Sequence, residues 1–374
     1  MSRGPVSQVP AGGLSATLVG VLFVCCSVKR GGPEPTSPGE LPAPVLTADD
    51  PSAKVELGRR LFYDRRLSLN QTQACASCHR QALAFSDGQA HPVGSTGQRH
   101  RRNTLALANL GYEVNLTWAN SLLASLEEQV LVPMFGQSPV ELGLAGREAE
   151  VLRRLAADDA YEALFARAFP ADRAPFSAGN LARALACFER TLISRDSPVD
   201  RYLRRDASAL SRAERRGLAL FRSEKAGCAR CHGGVTFMEA DEEVARVEGN
   251  FHNTGLYNLD GRGAYPADDP GLMEQTANPS DMGRFRTPSL RNVALTAPYM
   301  HDGSIGTLGE VVDHYAAGGR AAERGDRPSP LRSRFVRGFD LSPDDKSDLV
   351  AFLEALTDQT FISDPRYADP FMEP

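Results

Sequence analysis

Two short segments decide the fold of this chain: Cys75-Ala-Ser-Cys78-His79 and Cys228-Ala-Arg-Cys231-His232 share the pattern C-x-x-C-H. The two cysteines are spaced to bond the two vinyl groups of one haem, and the histidine that follows directs its imidazole at the iron. A zinc or redox C-x-x-C pair is the competing interpretation, but a four-cysteine zinc site does not need a histidine after each pair. The sequence therefore predicts two covalent haem c groups, attached through Cys75, Cys78, Cys228 and Cys231, with His79 and His232 as iron ligands.

The residues around the two motifs also repeat. Segment 58–62 (GRRLF) precedes the first motif, and segment 217–221 (GLALF) precedes the second. Each motif is later followed by apolar residues at helical spacing, which predicts a closing helix. These residues are Leu181, Leu185, Phe188 and Leu192 in the first half, and Leu349, Phe352, Leu353 and Leu356 in the second.

Helix, haem motif and closing helix, twice over, is the plan of two cytochrome c-like domains. No run shows the alternation of a typical strand. The predicted fold class is therefore all-α, with one covalent haem c in each domain and long Gly/Pro-rich loops around the haems. The predicted domains span residues 50–205 and 206–374.

Composition indicates a globular protein, and the first thirty residues indicate export. Apolar residues make up 42% and charged residues 24% of 374 residues, and the net charge of −5 argues against nucleic-acid binding. Arg3 and the apolar run 14–24 predict an export signal over residues 1–30, followed by a Pro/Gly-rich linker over 31–49. We therefore expect a periplasmic protein without a transmembrane span. Cys25 or Cys26 could mark a lipoprotein cleavage site and hence a lipid anchor, although Phe23 and Val24 are bulky for such a site.

Four segments carry a resemblance to a known superfamily over nearly the whole chain after residue 50. Residues 57–70, the first haem motif, 126–142 and 286–315 resemble the di-haem cytochrome c peroxidase and MauG superfamily. Within it, SPVELGLAG (138–146), FHNTGLYN (251–258) and APYMHDGSIGTL (297–308) are similar to the MbnH type, the di-haem partner enzyme of methanobactin-type operons.

The resemblance implies that Tyr315 is the second axial ligand of the C-terminal haem. The peroxidases have a methionine at a fixed distance after the histidine that matches His301, and in this chain that position is Tyr315, as in MauG. A thioether favours reduced iron, whereas a phenolate favours oxidised iron. The ordinary alternative is a core aromatic on a helix that begins at Thr307. Met282 and Met300 are alternative ligands, but both fall away from the matched position and are expected to serve packing.

The resemblance also implies that the N-terminal haem reacts with peroxide. The distal histidine of the peroxidases matches Ser95, so the iron is expected to be five-coordinate and open, with a shifted His91 as the alternative. The family's catalytic glutamate and glutamine match Glu141 and Gln129. Glu141 would shuttle the proton needed to cleave the O–O bond, and Gln129 would hold the hydrogen bonds of the pocket. Two extra residues separate this pair, and the ordinary alternative for Glu141 is a surface charge.

The remaining assignments follow the same resemblance. Trp118, the single tryptophan, matches the residue that relays electrons between the haems, with a large core residue as the alternative. Asn103, Thr296 and Pro298 match an oxygen-ligated calcium site between the domains. From the residues alone, Cys187 is expected to be a buried apolar residue, and His252 and His314 structural hydrogen-bonders.

The predicted function is that of a periplasmic oxidoreductase which uses hydrogen peroxide to form a high-valent di-haem state and then oxidises a side chain of a partner protein. The MbnH likeness implies conversion of tryptophan to kynurenine on an exported partner. The alternative is a cytochrome c peroxidase that reduces peroxide with electrons from a small redox protein. A third hypothesis, an electron carrier without enzymatic activity, does not explain an open iron beside Glu141.

Overall fold

A computed structural model describes residues 51–123 and 125–372. The predicted signal peptide, the linker, Cys25, Cys26 and Asp50 lie outside the described residues. The α-helices are α1 (Pro51–Tyr63), α2 (Cys75–Cys78), α3 (Leu126–Phe135), α4 (Glu148–Ala156), α5 (Asp159–Ala168), α6 (Ala178–Arg190), α7 (Pro198–Leu203), α8 (Arg212–Arg222), α9 (Glu242–Glu248), α10 (Met273–Thr276), α11 (Leu308–Ala317), α12 (Arg320–Glu323), α13 (Pro343–Glu354) and α14 (Gln359–Ser363). The two strands, β1 (Phe251–His252) and β2 (Phe285–Arg286), form one antiparallel pair.

The helical class predicted from the sequence is confirmed for this part of the chain. None of the helices in the described ranges combines the length and hydropathy needed to cross a bilayer. Long irregular segments connect the helices, as the Gly- and Pro-rich loops predict. Short 3₁₀ turns punctuate these segments at Arg65–Leu67, Gln81–Leu83, Leu110–Tyr112, Cys228–Arg230, Pro279–Asp281 and Val293–Leu295.

Local capping explains where the helices of the second half begin. The side chain of Ser211 accepts a hydrogen bond from the backbone of Glu214 at the start of α8, and the Glu214 carboxylate returns to the backbone of Ser211. The same reciprocal pair forms between Ser342 and Asp345 at α13. Such pairs satisfy N–H groups that the first helical turn leaves free. The predicted apolar residues Leu192 and Leu356 are buried, but each lies two residues beyond the end of its helix.

Each half is built on one close crossing between two helices. α1 crosses α6 at Gly58, where an added Cβ would lie 2.0 Å from the carbonyl oxygen of Ala184. α8 crosses α13 at Gly217, where an added Cβ would lie 1.9 Å from the carbonyl oxygen of Asp348. Only glycine lets the backbones approach so closely. The glycine that begins each of the two G-x-x-L-F segments is therefore needed for the same reason in both halves.

Phenylalanine side chains fill the space beside each crossing. Phe62 of α1 lies 5.2 Å from Phe188 of α6, and Phe221 of α8 lies 4.9 Å from Phe352 of α13, measured between ring centroids. Both distances are typical of packed aromatic pairs. The aromatic residues of the sequence repeat thus form equivalent contacts in the two halves.

The buried apolar residues separate into cores that follow the repeat. The first core joins α1, α3, α5 and α6, and the second joins α8, α11 and α13. The two cores exchange chain segments. Val199 of α7, which comes before the second half, packs in the second core, and Phe361 of α14, near the C-terminal end, packs in the first. A third, smaller apolar cluster includes Ala119, Leu256, Tyr265, Phe285 and Ile305.

We expect Gly217→Ala to destabilise the protein by about 1–3 kcal/mol or more, because the new methyl group meets a backbone carbonyl that cannot move without shifting α13. Gly179→Ala is the matched control. Gly179 lies near the start of α6, and an added Cβ there has only the tip of Arg183 within 4 Å. That change should stabilise its helix by roughly 0.5–1 kcal/mol. Thermal and urea unfolding of both variants measure the effect, and equal stability of the two would contradict the close crossing.

Candidate active site and haem-binding residues

The first haem motif places a neutral histidine in the N-terminal core. Cys75 and Cys78 span the single turn α2, and His79 follows it directly. The Nδ1 atom of His79 lies 2.7 Å from the carbonyl oxygen of Phe85, so this nitrogen carries the proton and Nε2 keeps its lone pair. Burial lowers the pKa of His79. Its imidazole is therefore neutral and suited to bind a metal.

Glu141 lies beside the cysteines of this motif. Burial raises the pKa of the Cys75 and Cys78 thiols, and the negative charge of Glu141 raises both further. Burial also raises the pKa of Glu141 itself to about 7. The surface-charge alternative for Glu141 therefore does not describe its position.

Ser95 contacts the backbone of Glu141. The Ser95 N–H donates a hydrogen bond of 2.7 Å to the Glu141 carbonyl oxygen, and the Ser95 hydroxyl is buried without a partner among the described residues. The side chain of Asn70 holds the Ser95 carbonyl oxygen at 2.6 Å. The position that corresponds to the family's distal histidine is thus adjacent to Glu141. His91, the alternative distal ligand, has an exposed side chain.

Gln129 lies on α3, one turn before the helix-internal Pro133. It is half-buried, and no hydrogen bond joins its side chain to Glu141 in the described part of the chain. The loop that carries Glu141 is nevertheless tied to α3, because the N–H of Leu142 donates to the carbonyl oxygen of Pro133 at 2.9 Å. The structure therefore brings α3 and Glu141 together through the backbone.

The second haem motif lines a cavity of about 400 Å³. His232 repeats the geometry of His79, with its Nδ1 atom 3.3 Å from the carbonyl oxygen of Phe237, and burial lowers its pKa to about 4. Tyr315, on α11, lines the same cavity as Cys228, Cys231 and His232. Burial raises the pKa of Tyr315 above its ordinary value. Met300 also lines this cavity, whereas Met282 packs in the third apolar cluster.

These groups fit a covalent haem in each half. The second cavity has the size of a cofactor site and presents two thiols, one neutral imidazole and one phenol. The first site presents two thiols and one neutral imidazole, with the unpartnered Ser95 hydroxyl and Glu141 nearby. In both, a backbone carbonyl orients the histidine ring and leaves Nε2 for iron.

Trp118 lies between the halves, against the second cavity. Its indole N–H donates a hydrogen bond of 2.7 Å to the carbonyl oxygen of Asn103, and its own carbonyl oxygen accepts from the N–H of Arg286 at 2.8 Å. Trp118 lines the cavity that holds the second motif. This position is compatible with the predicted role between the haems.

The three residues predicted to bind calcium line that cavity too. They are Asn103, Thr296 and Pro298. The amide nitrogen of Asn103 donates to the Gln89 carbonyl oxygen at 2.7 Å, which leaves its Oδ1 atom as a potential ligand. Within the described residues, no group of three His, Cys, Asp or Glu side chains could hold a metal ion. Any calcium here would depend on neutral oxygens, which suit a hard cation.

Sequence reasoning missed Glu189, which lies on α6 near Cys75 and is 6% exposed. Burial raises its pKa to about 8, and one carboxylate oxygen has no hydrogen-bond partner among the described residues. No sequence signal marks it, since an acidic residue near a helix end is usually exposed. Cys187 is fully buried, as expected. His252 bonds Glu248 at 2.9 Å and His314 bonds the Thr254 carbonyl oxygen at 3.1 Å, in line with structural roles.

Comparisons with known proteins identify the family. A family model described as di-haem cytochrome c peroxidase matches residues 52–208. The chain is 35% identical over 370 residues to the cytochrome-c peroxidase IdrP1 of Denitromonas iodatirespirans, covering 92% of this chain and 94% of that protein. It is 36% identical over 321 residues to the methylamine utilization protein MauG of Methylorubrum extorquens, covering 85% and 82%.

A solved structure of a MauG-like protein associated with microbial copper homeostasis is also similar. Its TM-score is 0.82 at 45% identity, and the match covers 91% of this chain and 98% of that one. This neighbour agrees with the resemblance to the MbnH type. The chain therefore belongs to the di-haem cytochrome c peroxidase and MauG family, and it is a peroxide-dependent oxidoreductase of the di-haem kind.

Proposed function

We propose that this protein uses hydrogen peroxide to form a high-valent di-haem state and then oxidises a side chain of an exported partner protein, converting tryptophan to kynurenine. The observation that carries the proposal is the position of Tyr315 in the cavity of the second haem motif. A conventional peroxidase needs a haem that is easily reduced, and a phenolate ligand disfavours reduction.

Tyr315 is suited to hold a metal in its oxidised form. The residue is half-buried in the cavity wall, and desolvation, followed by the nearby cysteine sulfurs, raises its pKa and keeps it protonated. A cation at bonding distance reverses this preference, because it stabilises the phenolate more strongly than the apolar surroundings disfavour it. Haem would supply the iron that exchanges electrons with peroxide, and Tyr315 and His232 would both hold the second iron.

The residues around the first motif would receive peroxide and move its protons. Ser95 has a short side chain where a histidine would close the iron, so the site stays open. Glu141 has a pKa near 7 and can both take up a proton and return it at neutral pH. Gln129, on the neighbouring α3, would hold the pocket's hydrogen bonds. Trp118 would carry electrons between the two haems, and calcium at Asn103, Thr296 and Pro298 would fix the loops between the halves.

The solved MauG-like neighbour supports a MauG-like reaction for this chain. We place the enzyme in the periplasm, either soluble or held by a lipid at Cys25 or Cys26. Its domains would divide near residue 205. The alternative function, reduction of peroxide with electrons from a small redox protein, has support from the peroxidases among the relatives.

Mass spectrometry of a candidate partner tests the function directly. The probes are the small exported proteins encoded by the genes on either side of the gene for this chain, each incubated with the di-haem protein and peroxide. We expect a tryptic peptide of one of these proteins in which tryptophan has become kynurenine. Omission of peroxide, and a boiled enzyme, are the controls. An unmodified partner together with rapid loss of peroxide would favour the peroxidase alternative.

Tyr315→Phe should change the absorption spectrum and lower the stability of the oxidised form of the C-terminal haem, because the phenolate ligand is lost while the ring is kept. Met300→Leu is the matched control, since Met300 lines the same cavity. We expect that variant to keep the wild-type spectrum. A redox titration followed by absorption measures both. An unchanged spectrum in Tyr315→Phe, with a changed one in Met300→Leu, would assign the ligand to sulfur and overturn the proposal.

Glu141→Gln should slow the reaction with peroxide by about 10²–10⁴-fold, because the amide cannot take up the proton. In the wild type, Glu141 is protonated below about pH 7 and ionised above it. Since the ionised form accepts the proton, the rate should rise with pH through this value, and the rise should be missing in Glu141→Gln. Stopped-flow absorption from pH 5 to 9 measures it, with the exposed Glu128→Gln as control. A wild-type pH profile in Glu141→Gln would exclude this role.

A further inference from the structure

The third apolar cluster connects the second haem cavity to the protein surface through aromatic rings. Phe285 and His301 both line the cavity and are stacked on each other, with ring centroids 3.6 Å apart and planes inclined by 13°. Tyr265 lies 6.1 Å from each of them. Tyr257 lies 5.3 Å from Tyr265. Packing alone requires apolar side chains here, but it does not require a continuous series of aromatic rings that ends at the surface.

Tyr257 is the member of this series that reaches solvent. Its side chain is half-buried, and Leu259, two residues further on, is 64% exposed. The guanidinium of Arg320 lies over the Tyr257 ring at 5.6 Å. A partner protein that docks at this surface would therefore meet a phenol, an apolar side chain and one cation.

The hydrogen bonds of the two tyrosines differ in a way that matters for oxidation. A phenol that loses an electron becomes strongly acidic and needs a base for its proton. The Tyr257 hydroxyl donates to the Asp302 carboxylate at 2.6 Å, whereas the Tyr265 hydroxyl donates to the amide oxygen of Asn253 at 3.0 Å. A carboxylate can accept the proton and an amide oxygen cannot do so readily. Of the two tyrosines, Tyr257 is therefore the one that can lose an electron and a proton to form a stable neutral radical.

We propose that Tyr257 is the surface residue through which electrons enter from the oxidised partner, with Tyr265, Phe285 and His301 as the path to the haem cavity. The inference rests on the proposed function, in which peroxide is the oxidant. Tyr257 gives one electron to the haem side through this path and its phenolic proton to Asp302. The resulting neutral radical takes one electron from the partner's side chain, and Asp302 returns the proton.

The surroundings of Tyr257 agree with this step. Burial opposes ionisation of Asp302, but the hydrogen bond from Tyr257 and its other polar neighbours lower its pKa, so the acceptor is ionised at neutral pH. Arg320 balances that charge at the surface. Arg320 acts through Tyr257 and is a positioning residue.

Spin trapping on the intact di-haem protein tests the proposal without a partner. The protein is treated with peroxide in the presence of the spin trap DMPO, and mass spectrometry locates the adduct. We expect the adduct on Tyr257, and freeze-quenched samples should show a tyrosyl radical by electron paramagnetic resonance. Tyr257→Phe should lose both signals while the absorption spectrum of the resting protein is unchanged. Asp302→Asn should lose most of the adduct, because the proton has no acceptor.

Two matched variants control the experiment. Tyr202→Phe removes a half-buried tyrosine of the second core that lies outside the aromatic series. Tyr161→Phe removes a tyrosine with an equivalent carboxylate partner, Asp64 at 2.7 Å, in the N-terminal core. Both should keep the adduct on Tyr257. If peroxide changes the haem spectrum but the adduct forms elsewhere or survives in Tyr257→Phe, the proposal is overturned. If peroxide leaves the spectrum unchanged, the proposed function itself fails.

Discussion

Each half of this protein depends on a half-buried imidazole whose Nδ1 atom is held by a backbone carbonyl oxygen, at Phe85 for His79 and at Phe237 for His232. The hydrogen bond fixes the tautomer and the ring orientation, and burial keeps the ring neutral. Both the hydrogen bond and the burial of the ring depend on the position of the phenylalanine, Phe85 or Phe237, that supplies the carbonyl oxygen. Phe85 and Phe237 are held against Phe62 and Phe221, which belong to the helices that cross at Gly58 and Gly217. The close crossings therefore set the position of both Nε2 atoms that would bind iron.

The same scaffold creates two different chemical environments. The N-terminal site has a carboxyl group with a pKa near 7 beside Ser95, so it is suited to proton transfer, and the short serine would leave an iron held by His79 accessible. The C-terminal site has a phenol in a largely apolar cavity, so it would favour an oxidised metal over proton transfer. Because Trp118 lies against the second cavity and is bonded to Asn103, the segment between the halves is fixed at the point where electrons would pass. The difference between the two sites therefore depends on a few side chains, chiefly Ser95, Glu141 and Tyr315, placed on the same helical framework.

The sequence allowed prediction of what depends on neighbours along the chain. The C-x-x-C-H motifs and the helical periodicity are local patterns, and the structure agrees with the helical class. The capping pairs at the starts of α8, α11 and α13 are local in the same way. The positions of Tyr315 and Glu141 could be assigned only through resemblance to a family, since an isolated tyrosine or glutamate carries no signal. The burial of Glu189, the return of Phe361 to the first core and the stacking of Phe285 on His301 depend on contacts between distant segments. A single sequence does not contain that information.

The third apolar cluster shows how such distant contacts can acquire a function. Its residues come from the segment around Trp118, from the loop after β1, from β2 and from the loop before α11. A cluster at this position must close the gap between the two cores, and aliphatic side chains would close it equally well. Aromatic rings add a path for electrons, and the carboxylate of Asp302 at the outer end adds a place for the proton. Tyr265 has only an amide oxygen as its partner, so a radical is not stabilised there in the interior, where it would damage the protein. It is transferred instead to the surface, where another molecule can reduce it.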